Sequence, residues 1–375
     1  MRVEKYRMLE DVCEILDSQR IPITASERKA GIYPYYGANG IQDYVDNYIF
    51  DDDLVLLAED GGNFGSRDKP IAYRVSGKCW VNNHAHVLKP KSTINVDYLC
   101  YTLMFYDTTG LVNGATRQKL TQSAMRQMKI PFVKMDVQNE IVERINLVVD
   151  LIDKRKKQLE KLDELVKSRF IEMFGDPVDN DRAWSTETLN SVCSTIVDCP
   201  HSTPSYTSDN TGYMCIRTSI VKKNHIMWDE IEYIPEEEYY QRIQRKRPER
   251  GDIIYTREGA ILGIAAMIDR ECNVALGQRS MLLSPNTFKC LPQFLSVAMN
   301  FNSFLRKALS GVSGSASPHI NVGDIKAFPI ILPPIELQNQ FAAFVEQTHK
   351  SKFEIKQSLE KLELLKKALM QKYFG

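Results

Sequence analysis

The sequence predicts an α+β chain in which two strand-rich globular domains alternate with two long helices. Three observations carry that prediction. Sliding the 375-residue chain by 200 positions lays Gln138-Asn139 on Gln338-Asn339, Leu159-Glu160-Lys161-Leu162 on Leu359-Glu360-Lys361-Leu362, Lys167 on Lys367 and Phe174-Gly175 on Phe374-Gly375 without a gap. The duplicated stretches keep apolar residues at alternating spacings of three and four, the seam of a coiled coil. Between them, short β-branched and aromatic runs are punctuated by Gly, Asn, Asp and Pro, as strands are.

The first domain, 1–134, contains the strand runs Leu54-Val55-Leu56-Leu57 and Ile71-Ala72-Tyr73-Arg74-Val75. The first rod, 135–175, has a seam running from Ile141 through Ile145, Val148, Ile152, Leu159, Leu162, Val166 and Met173, with Arg155 and Arg169 interrupting it. Gly175 and Pro177 stop this helix, since glycine takes the left-handed turn and proline cannot continue. The second domain, 176–334, has the runs Ile253-Ile254-Tyr255-Thr256 and Met281-Leu282-Leu283. It repeats two details of the first: Leu189-x-x-Val192-Cys193 matches Leu9-x-x-Val12-Cys13, and Arg257-Glu258-Gly259 follows a strand as Glu59-Asp60-Gly61 does. The second rod, 335–375, is entered from Pro333-Pro334 and has the seam Phe341, Val345, Ile355, Leu359, Leu362, Leu369 and Tyr373, interrupted by Thr348, Lys352 and Lys366. Roughly 36 helical residues span about 54 Å at 1.5 Å per residue, a length expected of a spacer and not of part of a small core.

Composition narrows the function. Forty-eight Lys+Arg balance 48 Asp+Glu, with 43% hydrophobic residues, which excludes disordered and collagen-like classes. No run approaches the ~20 apolar residues of a membrane helix and Met1–Arg7 lacks a secretory apolar segment, so a soluble, cytoplasmic protein with no membrane partner is expected. Eight cysteines without a Cys-x-x-Cys pair argue against a zinc ribbon or a disulfide framework. Zero net charge argues against polyanion binding by the whole surface and leaves room for a local nucleic-acid face.

The residues Pro34-Tyr35-Tyr36-Gly37-Ala38-Asn39-Gly40, Val81-Asn82-Asn83-His84-Ala85-His86-Val87-Leu88, Ile216-Arg217-Thr218, Gly251-Asp252-Ile253 and Thr256-Arg257-Glu258-Gly259, arranged around a duplicated helix ending in Phe-Gly, resemble the DNA-sequence specificity subunit of type I restriction-modification enzymes. The resemblance covers essentially the whole chain. It implies two target-recognition domains, rods paired as an antiparallel coiled coil, and a pseudo-twofold internal repeat. It further implies a noncatalytic chain that binds double-stranded DNA at a split asymmetric site and assembles with two adenine methyltransferase subunits and with endonuclease/translocase subunits. S-adenosylmethionine, ATP and magnesium are then expected in those partners, with no cofactor in this chain. The pair Pro333-Pro334 is Val133-Lys134 in the first copy, a departure that touches only the local turn.

Candidate DNA contacts in the first domain are Tyr35, Tyr36 and Asn39, which can supply apolar or amide contacts, the cations Arg67, Lys69 and Arg117, and Asn83, His84 and His86 on an expected strand. Two histidines with no third ligand nearby do not make a metal site, and packed histidines are the plain alternative. In the second domain Lys222, Lys223, Arg242, Arg245, Lys246, Arg247, Arg250 and Arg257 cluster in sequence. Arg217, Thr218, Arg257, Glu258, Gln278 and Arg279 flank strand–loop junctions, where arginine suits phosphate anchoring and guanine reading alike. The small-residue loops Asn113–Arg117 and Ser313–Ser317 would permit close backbone approach to DNA, or serve as connectors. No catalytic motif emerges, since Gly61-Gly62-Asn63-Phe64-Gly65 has neither dinucleotide nor P-loop spacing. Two rivals stand beside this expectation: a self-contained nuclease or methyltransferase dimerised by its helices, and a coiled-coil adaptor that binds no DNA.

Overall fold

The computed structural model describes residues 5–114, 117–310 and 318–375, so Met1–Glu4, two residues of the first small-residue loop (Ala115 and Thr116) and the whole Ser313–Ser317 loop lie outside the described residues. The chain forms two compact units, Met1–Lys156 with Gln357–Gly375, and Lys157–Lys356.

The head of the first unit is a six-stranded sheet ordered Cys13–Ile15, Ala85–Pro90, Phe50–Ala58, Ala72–Val81, Ala30–Gly37, Gly40–Val45. Neighbours are antiparallel except Ala30–Gly37 with Ala72–Val81, where Tyr35 pairs with Trp80 in parallel. The unbroken apolar run Leu54–Leu57 is explained by burial on both faces: Val55 and Leu57 enter one core cluster, Leu54 and Leu56 the other. The helix Val96–Met104 covers the first of these faces, started by Asn95, whose side chain accepts from the N–H groups of Asp97 and Tyr98.

In the second unit the four strands Cys193–Asp198, Ser280–Pro285, Ile253–Thr256 and Ala265–Met267 repeat the order of the first four strands above, all antiparallel. Alternation recurs here too, with Ile253 and Tyr255 in one cluster and Ile254 in the other. The heads diverge beyond this shared sheet. Where the first adds two strands to its edge, the second builds a separate three-stranded sheet, Glu232–Tyr233, Met214–Ile216, Val274–Leu276. Each head also closes its ends alike, Lys5–Met8 pairing with Lys129–Phe132 and Ser185–Thr188 with Pro329–Leu332.

Both rods are helices of 40 residues, Met135–Phe174 and Ile335–Phe374. Their first turns are tied to the heads by one device used twice. Buried Gln138 accepts from the Asn95 N–H and donates to the carbonyls of Thr93 and Val133; buried Gln338 accepts from the Leu291 N–H and donates to those of Lys289 and Pro333. At the far end of the first rod Gly175 (φ +76°) donates to the Ile171 carbonyl, and a Cβ there would collide with the Asp181 carboxylate.

Rod segments run antiparallel within each unit. In the first, Arg144 lies against Tyr373 while Lys156 meets Glu363 at 3.8 Å; in the second, Asp163 pairs with Lys352 while Phe174 meets Phe341 with ring centroids 5.4 Å apart. The rods are more than spacers, which corrects the expectation from their length. Ile141, Val142, Ile145 and the partly buried Leu369, Met370, Tyr373 and Phe374 complete the first head's core, and Val166, Phe170, Phe174, Phe341 and Val345 the second's. The seam is corrected with it: Phe170 and Phe174 are fully buried while Met173 is only half-buried, because the last turns of this rod face a head as well as the other rod. Thr348 and Lys352 stand where the first copy has Val148 and Ile152; the Thr348 hydroxyl is satisfied by the Phe344 carbonyl, and Lys352 by Asp163.

Candidate nucleic-acid interface

Each head carries the same three-loop frame at the end of its central strand. In the first head, beyond Phe50–Ala58, the Glu59 N–H donates to the His84 carbonyl, the Leu120 N–H to the Glu59 carbonyl and the Gly61 N–H to the Gln118 carbonyl, at 2.8, 2.8 and 3.1 Å. In the second, beyond Ile253–Thr256, the Arg257 N–H donates to the Arg279 carbonyl, the Ile320 N–H to the Arg257 carbonyl and the Gly259 N–H to the Pro318 carbonyl, at 3.0, 2.9 and 3.0 Å. Single bridges Asp60–Lys119 and Glu258–His319 complete the match. Gly61 (φ +70°) and Gly259 (φ +87°) both need the left-handed region, which is why glycine ends both motifs.

The side chains on this frame differ. Arg117 lies across Gly61 with Nε 2.7 Å from Asp60, its Nη2 3.4 Å from His84 Nδ1, while Asn39 donates to the Gly61 carbonyl. Arg279 lies across Gly259, exposed and itself at φ +67°, a costly conformation for a residue with a Cβ. The structure thus brings together Asn39, His84 and Arg117 in one head and places Glu258 and Arg279 on the frame of the other, whereas the half-buried Gln278 spends its amide N–H on the His201 carbonyl at 2.6 Å. Asn83, Arg67 and Lys69 are exposed without a mutual contact; Arg217 pairs with Glu232 at 2.9 Å, and half-buried Thr218 opens a short 3-10 turn.

Several candidates are corrected because their polar groups are spent inside the protein. Tyr35 is buried, its hydroxyl bonded to the Ile23 carbonyl and its ring under Arg28; Tyr36 is half-buried, its ring against Tyr73. Arg257 is buried and clamped by Asp198 and by Glu258 at 2.6 Å. The sequence cluster of cations also disperses: Arg242 is buried against Glu238 and the Ser202 carbonyl, and Lys246 is paired with Glu249.

His86, fully buried, is the core histidine of a lock behind the first head's frame. Its Nδ1 is 2.6 Å from Asp17 and its Nε2 2.9 Å from the Leu120 carbonyl, so both ring nitrogens are taken up inside the protein. Asp17, His86 and Glu59 lie close enough to suggest a metal triad, but Glu59 is engaged by Arg20 at 2.6 Å and Lys119 at 3.1 Å, so the donor set is already neutralised. Sequence reasoning missed Asp17 and Glu59, since nothing local marks an acid whose partner lies 69 residues away. Burial works against ionising Asp17, but hydrogen bonds from His86, Gln122 and the Val87 N–H outweigh it and leave the carboxyl below its usual 3.8. A lowered folded-state value means this contribution is complete above about pH 4 and is lost as pH falls through that lower value. Asp17→Asn is expected to cost about 3 kcal/mol at neutral pH and to flatten the acid limb of the stability curve, measured by urea unfolding from pH 7 to 2.

Comparison with known proteins follows this geometry. The family described as the type I restriction modification DNA specificity domain matches residues 3–164 and 182–366. A type I restriction enzyme specificity subunit of Haemophilus influenzae is 37% identical over 147 residues, 39% of this chain and 38% of that protein. The MjaVIII specificity subunit of Methanocaldococcus jannaschii is 21% identical over 96% of this chain and 89% of its own length. In fold, the chain is similar to the crystal structure of the type I restriction-modification S subunit from M. genitalium, with TM-score 0.59, 13% identity and coverage of 99% and 96% of the two chains.

Proposed function

Since the chain belongs to the type I restriction-modification DNA specificity family, we propose that it is the subunit that reads DNA for a type I restriction-modification complex, each head taking one half of a split, asymmetric site. The observation that carries this is the loop frame repeated in both heads with different side chains upon it: one backbone solution, two chemistries, hence two unlike half-sites. On this reading the rods pair as an antiparallel coiled coil relating the heads by a pseudo-twofold axis, which suits the two-fold symmetry of duplex DNA. Two methyltransferase subunits and the endonuclease/translocase subunits supply the chemistry and use S-adenosylmethionine, ATP and magnesium.

The chain's own groups support a noncatalytic part. Burial pushes the thiols of Cys13, Cys79, Cys100, Cys193 and Cys215 up to about 12, so none of these offers a thiolate nucleophile near neutral pH. No helix among the described residues is long and apolar enough to cross a membrane. The purified chain, freed of other subunits, is expected neither to transfer a methyl group from S-adenosylmethionine nor to cut DNA with magnesium. Methyl transfer by the chain alone, followed with a radiolabelled methyl donor, would sink this reading, and an electrophoretic shift competed by every sequence equally would sink sequence recognition.

A further inference from the structure

We propose that each head reads one guanine with a single arginine laid over its left-handed glycine, Arg117 in the first head and Arg279 in the second; this rests on the DNA-reading function above and assigns its specificity contact. The two arginines reach the same point of the same frame from different loops. Arg117 precedes the segment whose Gln118 carbonyl receives the Gly61 N–H, whereas Arg279 occupies the position that is His84 in the first head, its own carbonyl receiving the Arg257 N–H. A Cβ placed on Gly61 would stand 3.4 Å from Arg117 Nε, and one on Gly259 3.3 Å from Arg279 Nη1. Glycine therefore supplies a flat bed on which a guanidinium lies beside the backbone.

The carboxylates of each frame are committed within the protein, Asp60 to the Nε side of Arg117 and Glu258 to Arg257, and Arg117 and Arg279 are exposed. In the first head Asp60 takes the Nε side of Arg117 at 2.7 Å, which orients the guanidinium and leaves Nη1 without a partner among the described residues. The second head's counterpart of Asp60 is Glu258, and it is taken by Arg257 at 2.6 Å. Arg279 consequently has no carboxylate partner among the described residues, although it is exposed and holds a left-handed backbone. Such strain persists where the surroundings over-determine it, and here Gly259 and the bond from the Arg257 N–H fix the residue. An exposed guanidinium lying beside the frame's glycine offers a planar fork that matches the paired O6 and N7 acceptors of guanine in the major groove, which an ammonium cannot engage in the same two-pronged way.

Arg279→Lys and Arg117→Lys test this, because lysine keeps the charge and loses the planar fork. The methylated adenines are mapped in cells that express each variant with its partner subunits, and binding to the mapped site is then measured on duplexes carrying 7-deazaguanine, which lacks N7. Each lysine variant is expected to relax one guanine, in one half-site only, by about tenfold or more, and a deaza substitution at that guanine should weaken the wild-type protein but not the variant. The unchanged half-site reports that the variant is folded. Unaltered specificity in Arg279→Lys, or a uniform loss across all sequences with a smaller salt slope in Arg279→Ala, would mark a phosphate contact and overturn the assignment. A wild-type chain without any bipartite preference would instead overturn the DNA-reading function itself.

Discussion

Phe174→Ala is expected to destabilise the second unit by about 3–5 kcal/mol, the range for truncating a fully buried aromatic. The ring is packed at centroid distances of 5.0 Å from Phe170, 4.9 Å from Phe294 and 5.4 Å from Phe341, so its removal opens a cavity between rod and head that rigid neighbours cannot fill. Phe374 stands at the same place in the repeat yet remains partly accessible, its clearest aromatic partner being Tyr98 at 5.3 Å. Phe374→Ala should therefore cost only about 1–2 kcal/mol. Trp184, whose indole N–H donates to the Phe174 carbonyl, makes urea unfolding followed by fluorescence a direct readout. Equal losses from the two substitutions would show that the burial difference has no energetic weight.

Much of this architecture is legible in the chain because its signals are periodic. The 200-residue register located both rods, and its pairing of Gln138 with Gln338 marks the two clasps, although nothing in a glutamine announces three buried hydrogen bonds. The match of Glu59-Asp60-Gly61 with Arg257-Glu258-Gly259 likewise proved to be the shared frame. Which cations face outward was not legible. Arg257 and Arg279 both flank strand–loop junctions, and only the fold shows that Asp198, 59 residues before Arg257, immobilises the first and leaves the second exposed. The four-segment division at 134, 175 and 334 and the two compact units cut the chain differently for a similar reason: periodicity marks where a helix runs, but not that its ends complete another segment's core.

The largest functional effect is expected from exchanging the first head for that of another family member. Because Ile141, Val142 and Ile145 of the first rod and Leu369, Met370 and Phe374 of the second pack into that head, the graft has to carry these positions together with residues 1–134. A graft cut at 134 alone would set a foreign core face against them, at about 1–3 kcal/mol for each overpacked contact. With the core matched, the loop frame of the second head is untouched, and so are Arg279 and its supporting Gly259 and Arg257.

Mapping methylated adenines across the genome of cells carrying the grafted chain with its partner subunits is the most direct test that this protein reads DNA through two independent heads. One half of the recognised site should change to that of the donor while the other half stays as in the parent. Simultaneous change of both halves, or an unchanged site in a fully active complex, would contradict it.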